Sequence, residues 1–147
     1  MTQQAHSTGL TIAEVAERTG LTAHTLRYYE RDGLMLEVGR NGAGHRAYTE
    51  RDLGWITLIT RLRATGMPIR EIRRYAEMVR SGGGNEGARL DLLRAHRDRV
   101  RAQLEETAAH LDAIEFKVAY YAAAVGETDP DAELIAQQRR DAPAATG

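Results

Sequence analysis

The feature that most constrains this chain is an unbroken heptad between residues 90 and 125. Leu90, Leu93, Arg97, Val100, Leu104, Thr107, Leu111, Ile114, Val118, Tyr121 and Val125 alternate spacings of three and four, which assigns core positions over about five heptads. A helix of about 40 residues with so narrow an apolar seam gains too little by folding alone. It needs a partner helix, and the economical one is its copy in a second subunit. The expected dimerisation residues are Leu90, Leu93, Val100, Leu104, Leu111, Ile114 and Val118. Arg97 and Thr107 are polar seam positions that could set register, although an arginine can also snorkel out of the seam. The competing reading is that this helix packs against the N-terminal helices of its own chain.

Those N-terminal helices have a pattern of their own. Ile12, Val15, Ala16 and Thr19 recur at helical spacing and Gly20 stops the helix, because only glycine turns there without a Cβ penalty. Thr22 is placed to cap a second helix, with Leu21 and Leu26 pointing back at the first, so the segment reads helix, short turn, helix. On the second helix His24, Arg27, Tyr28 and Arg31 share one face. Two guanidinium groups, an imidazole and a phenol are the donors a helix needs to reach phosphates and base edges in a major groove. The plainer alternative is the solvated side of an amphipathic helix.

Gly33 provides a stop, and Leu34 and Leu36 lead to Val38, a strand candidate. Gly39 to Gly44 is a flexible turn and His45 to Tyr48 a return strand, giving a hairpin with Arg40 near its tip and Arg46 on its second arm. A hairpin directly after such a helix is a wing whose arginines reach the DNA backbone or minor groove. Thr49 to Asp52 has the spacing of a capping box and opens a third helix with Leu53, Ile56, Ile59 and Leu62 buried and Trp55 beside them. Gly66 ends it, and Pro68 suits the first turn of a fourth. There Ile69, Ile72, Ala76 and Val79 form the apolar face. Arg70, Arg73, Arg74 and Arg80 form the outer one, solvated or contacting a nucleic-acid backbone.

Composition narrows the chemistry. There is no cysteine among 147 residues, so disulfides, thiolate metal sites and thiol-based sensing are excluded. Serine occurs only at Ser7 and Ser81, and neither is placed as a nucleophile. No metal cluster or phosphate loop is present, so no enzymatic activity, cofactor or metal is expected. His96 and His110 lie two heptads apart and read as surface histidines. No apolar run would span a bilayer and no signal peptide is visible, which points to the cytoplasm. The formal net charge of −1 hides an asymmetry: residues 1–80 hold 12 Arg and 9 acidic residues, residues 81–147 hold 8 basic and 12 acidic ones. A basic N-terminal part joined to an acidic C-terminal part suits a nucleic-acid module with a separate non-DNA part.

Ile12-Ala13-Glu14-Val15-Ala16, Gly20-Leu21, Thr25-Leu26-Arg27-Tyr28-Tyr29-Glu30, Gly33-Leu34, Arg40, Arg46, Tyr48, Asp52-Leu53 and Gly66-Met67 together resemble the N-terminal domain of the MerR family of bacterial transcription regulators. The match runs from about Leu10 to Val79, and the long helix resembles the family's antiparallel dimerisation helix. The pattern and the resemblance together give a mainly α chain with a β-hairpin wing, with a winged helix-turn-helix domain (10–80) and a coiled-coil helix (85–125); composition adds a disordered tail (1–9), a glycine hinge (81–84) and a short effector region with a disordered tail (126–147), in which Asp131 to Arg139 can form a short helix. The resemblance also implies a homodimer on a pseudo-palindromic promoter with an overlong spacer. In that family an effector makes the dimer untwist and bend the DNA, serving RNA polymerase indirectly.

By the same resemblance Thr22, His24, Thr25, Arg27, Tyr28 and Arg31 serve the major groove, Arg46 holds phosphates from the wing with Arg40 assisting, and Tyr48 either contacts DNA or packs inside. Leu26 and Tyr29 look like core. Without cysteine, any signal is non-covalent, and Phe116, Tyr120 and Tyr121 are the residues that could wall an effector pocket. The alternative function is a coiled-coil adaptor or DNA-architectural protein without an effector.

Overall fold

The structure, a computed structural model, describes residues 9–141, apart from the side chains of Glu133, Ile135, Ala136 and Arg139. The two expected disordered tails fall largely outside the described residues. Gly9 is an exception. A Cβ there would lie 2.9 Å from the Ala47 Cβ, so glycine is what lets the chain start pass this close to the hairpin.

Helix α1 (Ile12–Thr19) opens on Thr11, whose hydroxyl accepts from the Glu14 amide, and closes on Gly20 at φ 74°. After a short turn α2 (Ala23–Arg31) opens on Thr22, which accepts from the Thr25 amide. The hairpin consists of β1 (Gly39–Arg40) and β2 (Arg46–Ala47), antiparallel, with Arg40 opposite Arg46. Leu10 adds a bridge to Tyr48 through two backbone hydrogen bonds of 2.8 and 2.9 Å. The strands are shorter than the sequence suggests, and the turn is closed by a side chain: Asn41 Oδ1 accepts from the amides of Ala43 and His45, an Asx-type closure.

Helix α3 (Glu50–Ala64) begins with the expected capping box, Thr49 and Asp52 each accepting from the other's backbone amide. Helix α4 (Ile69–Arg80) follows Pro68. Val15, Leu26, Leu34, Ile56, Ile59 and Ile72 are fully buried among the helices, each contributing about 1.5–3 kcal/mol of burial. Trp55 stacks on Tyr75 at 5.3 Å between ring centres.

Helix α5 (Glu86–Ala124) is continuous for 39 residues. The compact N-terminal unit does not end at the glycines but runs through Arg97, with Asp98 beginning the second unit. The first turns of α5 are the reason. Leu92 and Leu93 pack against the core, so Leu93 is only in part available to a partner helix. His96, expected at the surface, is buried with Nε2 2.7 Å from the Thr65 hydroxyl oxygen. The supposed hinge is also closed over: Arg89 donates to the carbonyls of Met78 and Gly82, and Asn85 donates to Met78.

In the second unit the rest of α5 is exposed along its seam: Leu104, Leu111, Ile114, Val118 and Val125 keep between 46% and 71% of their surface open. Helix α6 (Pro130–Asp141) covers the short helix expected from Asp131 to Arg139. Among the described residues no helix is long and apolar enough to cross a membrane.

Candidate nucleic-acid interface

Helix α2 separates its two faces as its spacing requires. Leu26 and Tyr29 are buried, while His24, Arg27 and Arg31 are exposed and Tyr28 is half-buried, tilted against Tyr29 at 6.2 Å. Thr22 and Thr25 hold the N-terminus of α2, the Thr22 hydroxyl lying 3.0 Å from that of Thr25.

Two recesses flank the outward face. One, of about 360 Å³, is bounded by Arg27 of α2, by Arg40, His45 and Arg46 of the hairpin, and by the start of α1. It brings the charges on the helix and the wing to one concavity. The other, of about 310 Å³, is lined by His24, Thr25, Tyr28, Tyr29 and Arg63. Arg63, near the end of α3, is a cation that the sequence reading passed over. Its only signal was a charge in the last turn of a helix, which is common for helices of any function. Arg31 borders neither recess.

The wing arginines sit directly opposite each other, an arrangement that costs energy when both charges are free. Both are occupied. Arg40 Nη1 donates to the Gly44 carbonyl at 2.9 Å, and Arg46 forms an ion pair with Glu30 on the last turn of α2 through its Nε. Arg46 is therefore tied to α2, a contact that the sequence pattern does not announce.

Tyr48 must be corrected. It is 2% exposed and belongs to the core, so its ring cannot reach DNA. It follows the end of β2, where its backbone bridges to Leu10 and its side chain packs into the core. Burial, and secondarily the Glu30 carboxylate, push its phenol above the ordinary tyrosine range.

The segment joining α2 to the wing is held by donors from the helices behind it. Arg73 Nε donates to the Asp32 carbonyl at 2.8 Å, Arg80 Nη1 to the Gly33 and Met35 carbonyls at 3.0 and 2.6 Å, and Trp55 Nε1 to the Leu34 carbonyl at 2.8 Å. Four successive carbonyls are thus satisfied by side chains. Arg73 and Arg80, expected on a solvated or DNA-facing surface, contact this chain's own backbone.

In the second unit a groove of about 700 Å³ is lined by Ile114, Val118, Tyr121 and Val125 among others. Tyr121 lines it, but Phe116 and Tyr120 do not. Tyr120 packs edge-on to Tyr121 at 5.2 Å under Lys117, and Phe116 is 70% exposed.

The family model described as MerR HTH family regulatory protein matches residues 10–79, and that described as MerR, DNA binding, matches residues 53–115. An uncharacterized HTH-type transcriptional regulator of Haemophilus influenzae is 39% identical over 111 residues, covering 76% of this chain and 82% of that protein. The chain belongs to the MerR family. It is a DNA-binding transcription regulator with that family's winged helix-turn-helix fold. The HTH-type transcriptional regulator AdhR of Bacillus subtilis is 41% identical over 91 residues, 62% of this chain and 65% of that protein. Among solved structures, HiNmlR, described as a MerR family regulator lacking the sensor domain and bound to promoter DNA, matches with a TM-score of 0.72 and 39% identity over 80% of this chain and 94% of its own. A putative MerR family transcriptional regulator from Listeria monocytogenes matches with a TM-score of 0.74 and 32% identity over 90% of this chain and 93% of its own.

Proposed function

We propose that two copies of this chain pair through the α5 seam and bind double-stranded promoter DNA at a pseudo-palindromic site, presenting one winged helix-turn-helix to each half. The observation that carries this reading is the cationic recess in which Arg27 of α2 and Arg40 of the wing converge. His24, Arg27, Tyr28 and Arg31 read the major groove, and Thr22 and Thr25 lie at the helix N-terminus where a phosphate is favourably placed. The promoter complex of the related HiNmlR supports the choice of DNA, and the exposed apolar seam of α5 supports the dimer.

Distortion of the promoter, with RNA polymerase responding indirectly, follows from two heads held on one coiled coil. The groove around Tyr121 offers a non-covalent effector its place. Because Ile114, Val118 and Val125 are also seam residues, a ligand there acts by shifting dimer affinity or geometry.

The test is a titration of the protein's own upstream region against random duplex of equal length, with the mass of the complex measured. Two chains per site and a promoter preference above about tenfold are expected. Equal affinity for both duplexes would instead make the protein an architectural or adaptor dimer.

A further inference from the structure

The Glu30–Arg46 ion pair is placed differently from the Arg18–Glu50 pair, and its atoms face each other more closely than those of Arg73 and Asp32, which are 3.7 Å apart. The Arg18–Glu50 pair is a surface contact, its side chains 50% and 75% exposed. In the Glu30–Arg46 pair the two facing atoms, Glu30 Oε2 and Arg46 Nε, are sealed from solvent although the side chains remain 28% and 31% exposed. Water reaches this contact less readily than it reaches the Arg18–Glu50 pair, so the two charges are screened less from each other. With Nε turned to Glu30 and sealed from solvent, the two terminal nitrogens of Arg46 are the ones left to face another acceptor.

The pair also spans the two parts that must act together. Glu30 is on the last turn of α2 and Arg46 on β2, so the contact ties the wing to α2 one turn beyond Arg27, which lines the same recess as Arg46. Of the three guanidinium groups at this recess, Arg40 is held by a neutral carbonyl and keeps its full charge. Arg27 has no hydrogen-bond or ion-pair partner among the described residues. Arg46 is the one whose charge is cancelled internally.

We propose that Glu30 is the positioning residue of the wing: its carboxylate pins Arg46 to the recognition helix and cancels its charge, so the pair enters the DNA interface as a neutral strut. Phosphate neutralisation then falls to Arg40 and the cations of α2. This inference rests on the DNA-binding reading given above, and it assigns to Arg46 a role other than that of a free phosphate contact.

Salt dependence separates the two roles, because the slope of log affinity against log salt counts phosphates neutralised, at about 0.9 per contact on duplex DNA. Wild type, E30Q and the double variant R46A/E30Q are compared on the upstream region and on random duplex between low and moderate salt, with thermal melts to confirm folding. Glu30→Gln keeps an acceptor for Nε but frees the charge of Arg46, so the slope should steepen by up to about 0.9 and random duplex should gain most. R46A/E30Q has the charge balance of wild type. Its slope should match wild type while its promoter affinity falls at least tenfold because the wing is no longer pinned. An unchanged slope in E30Q, a slope shallower by about 0.9 in the double variant, or wild-type affinity in the double variant would each overturn the proposal. A wild-type protein that binds no duplex at all would instead overturn the DNA-binding reading beneath it.

Discussion

Truncation of a seam leucine tests the dimer quantitatively. Leu104 is 68% exposed in the single chain. Complete burial of a leucine side chain is worth about 1.5–3 kcal/mol, and roughly two thirds of this remains to be gained on association, about 1–2 kcal/mol per copy. A symmetric dimer counts the residue twice, so Leu104→Ala should weaken association by about 2–4 kcal/mol, roughly 30- to 700-fold in the dimer dissociation constant. Sedimentation over a dilution series reads this directly. Phe116 provides the control, being 70% exposed and off the heptad spacing. Phe116→Ala removes more apolar surface but should move the constant by less than about threefold. The reasoning fails if wild type is monomeric at micromolar concentration, if Leu104→Ala shifts the constant by less than about threefold, or if Phe116→Ala matches it.

Arg27→Ala should cost about 1–3 kcal/mol on the promoter and relax its sequence preference; Arg40→Ala should weaken promoter and random duplex alike and lower the salt slope by about 0.9, both read by competition titration. Trp55→Phe leaves the Leu34 carbonyl without its donor and should destabilise the fold by about 1–3 kcal/mol in a denaturant melt. The raised phenol of Tyr48 means that the folded state holds this proton more tightly than the unfolded one, so its contribution is complete below the ordinary tyrosine value and is lost as pH rises through the folded one. Tyr48→Phe should therefore flatten the loss of stability above about pH 10, and a variant with the same alkaline profile as wild type would refute that assignment.

The parts legible in the sequence are those fixed by neighbours along the chain. Thr22 and Thr49 cap their helices because a hydroxyl reaches an amide three residues on. Gly20 and Gly33 take positive φ where the helices stop. The inward and outward faces of α2 followed from its period alone. Tyr48 was open because two-residue strands carry too little alternation to fix a face. His96 was misplaced because the heptad describes what faces a partner, whereas the first turns of α5 also lie on their own chain's core and bury a second side of the helix.

The arginines show where such reading stops. Arg73 and Arg80 lie on the polar face of α4, and periodicity can say only that they point away from its apolar stripe. Their long stems carry the guanidinium groups to carbonyls more than forty residues earlier in the chain, contacts between segments that no local pattern encodes. The same holds for Arg46 and Glu30, whose meeting depends on the hairpin folding back over the end of α2. A cation count therefore overstates the free charge of this domain: Arg73 and Arg80 hold the chain's own backbone and Arg46 pairs with Glu30, whereas Arg27, Arg31 and Arg40 have no acidic partner among the described residues. Substitutions at the first group should be sought in melts as well as in binding curves, since their effect on DNA passes through the position of the wing.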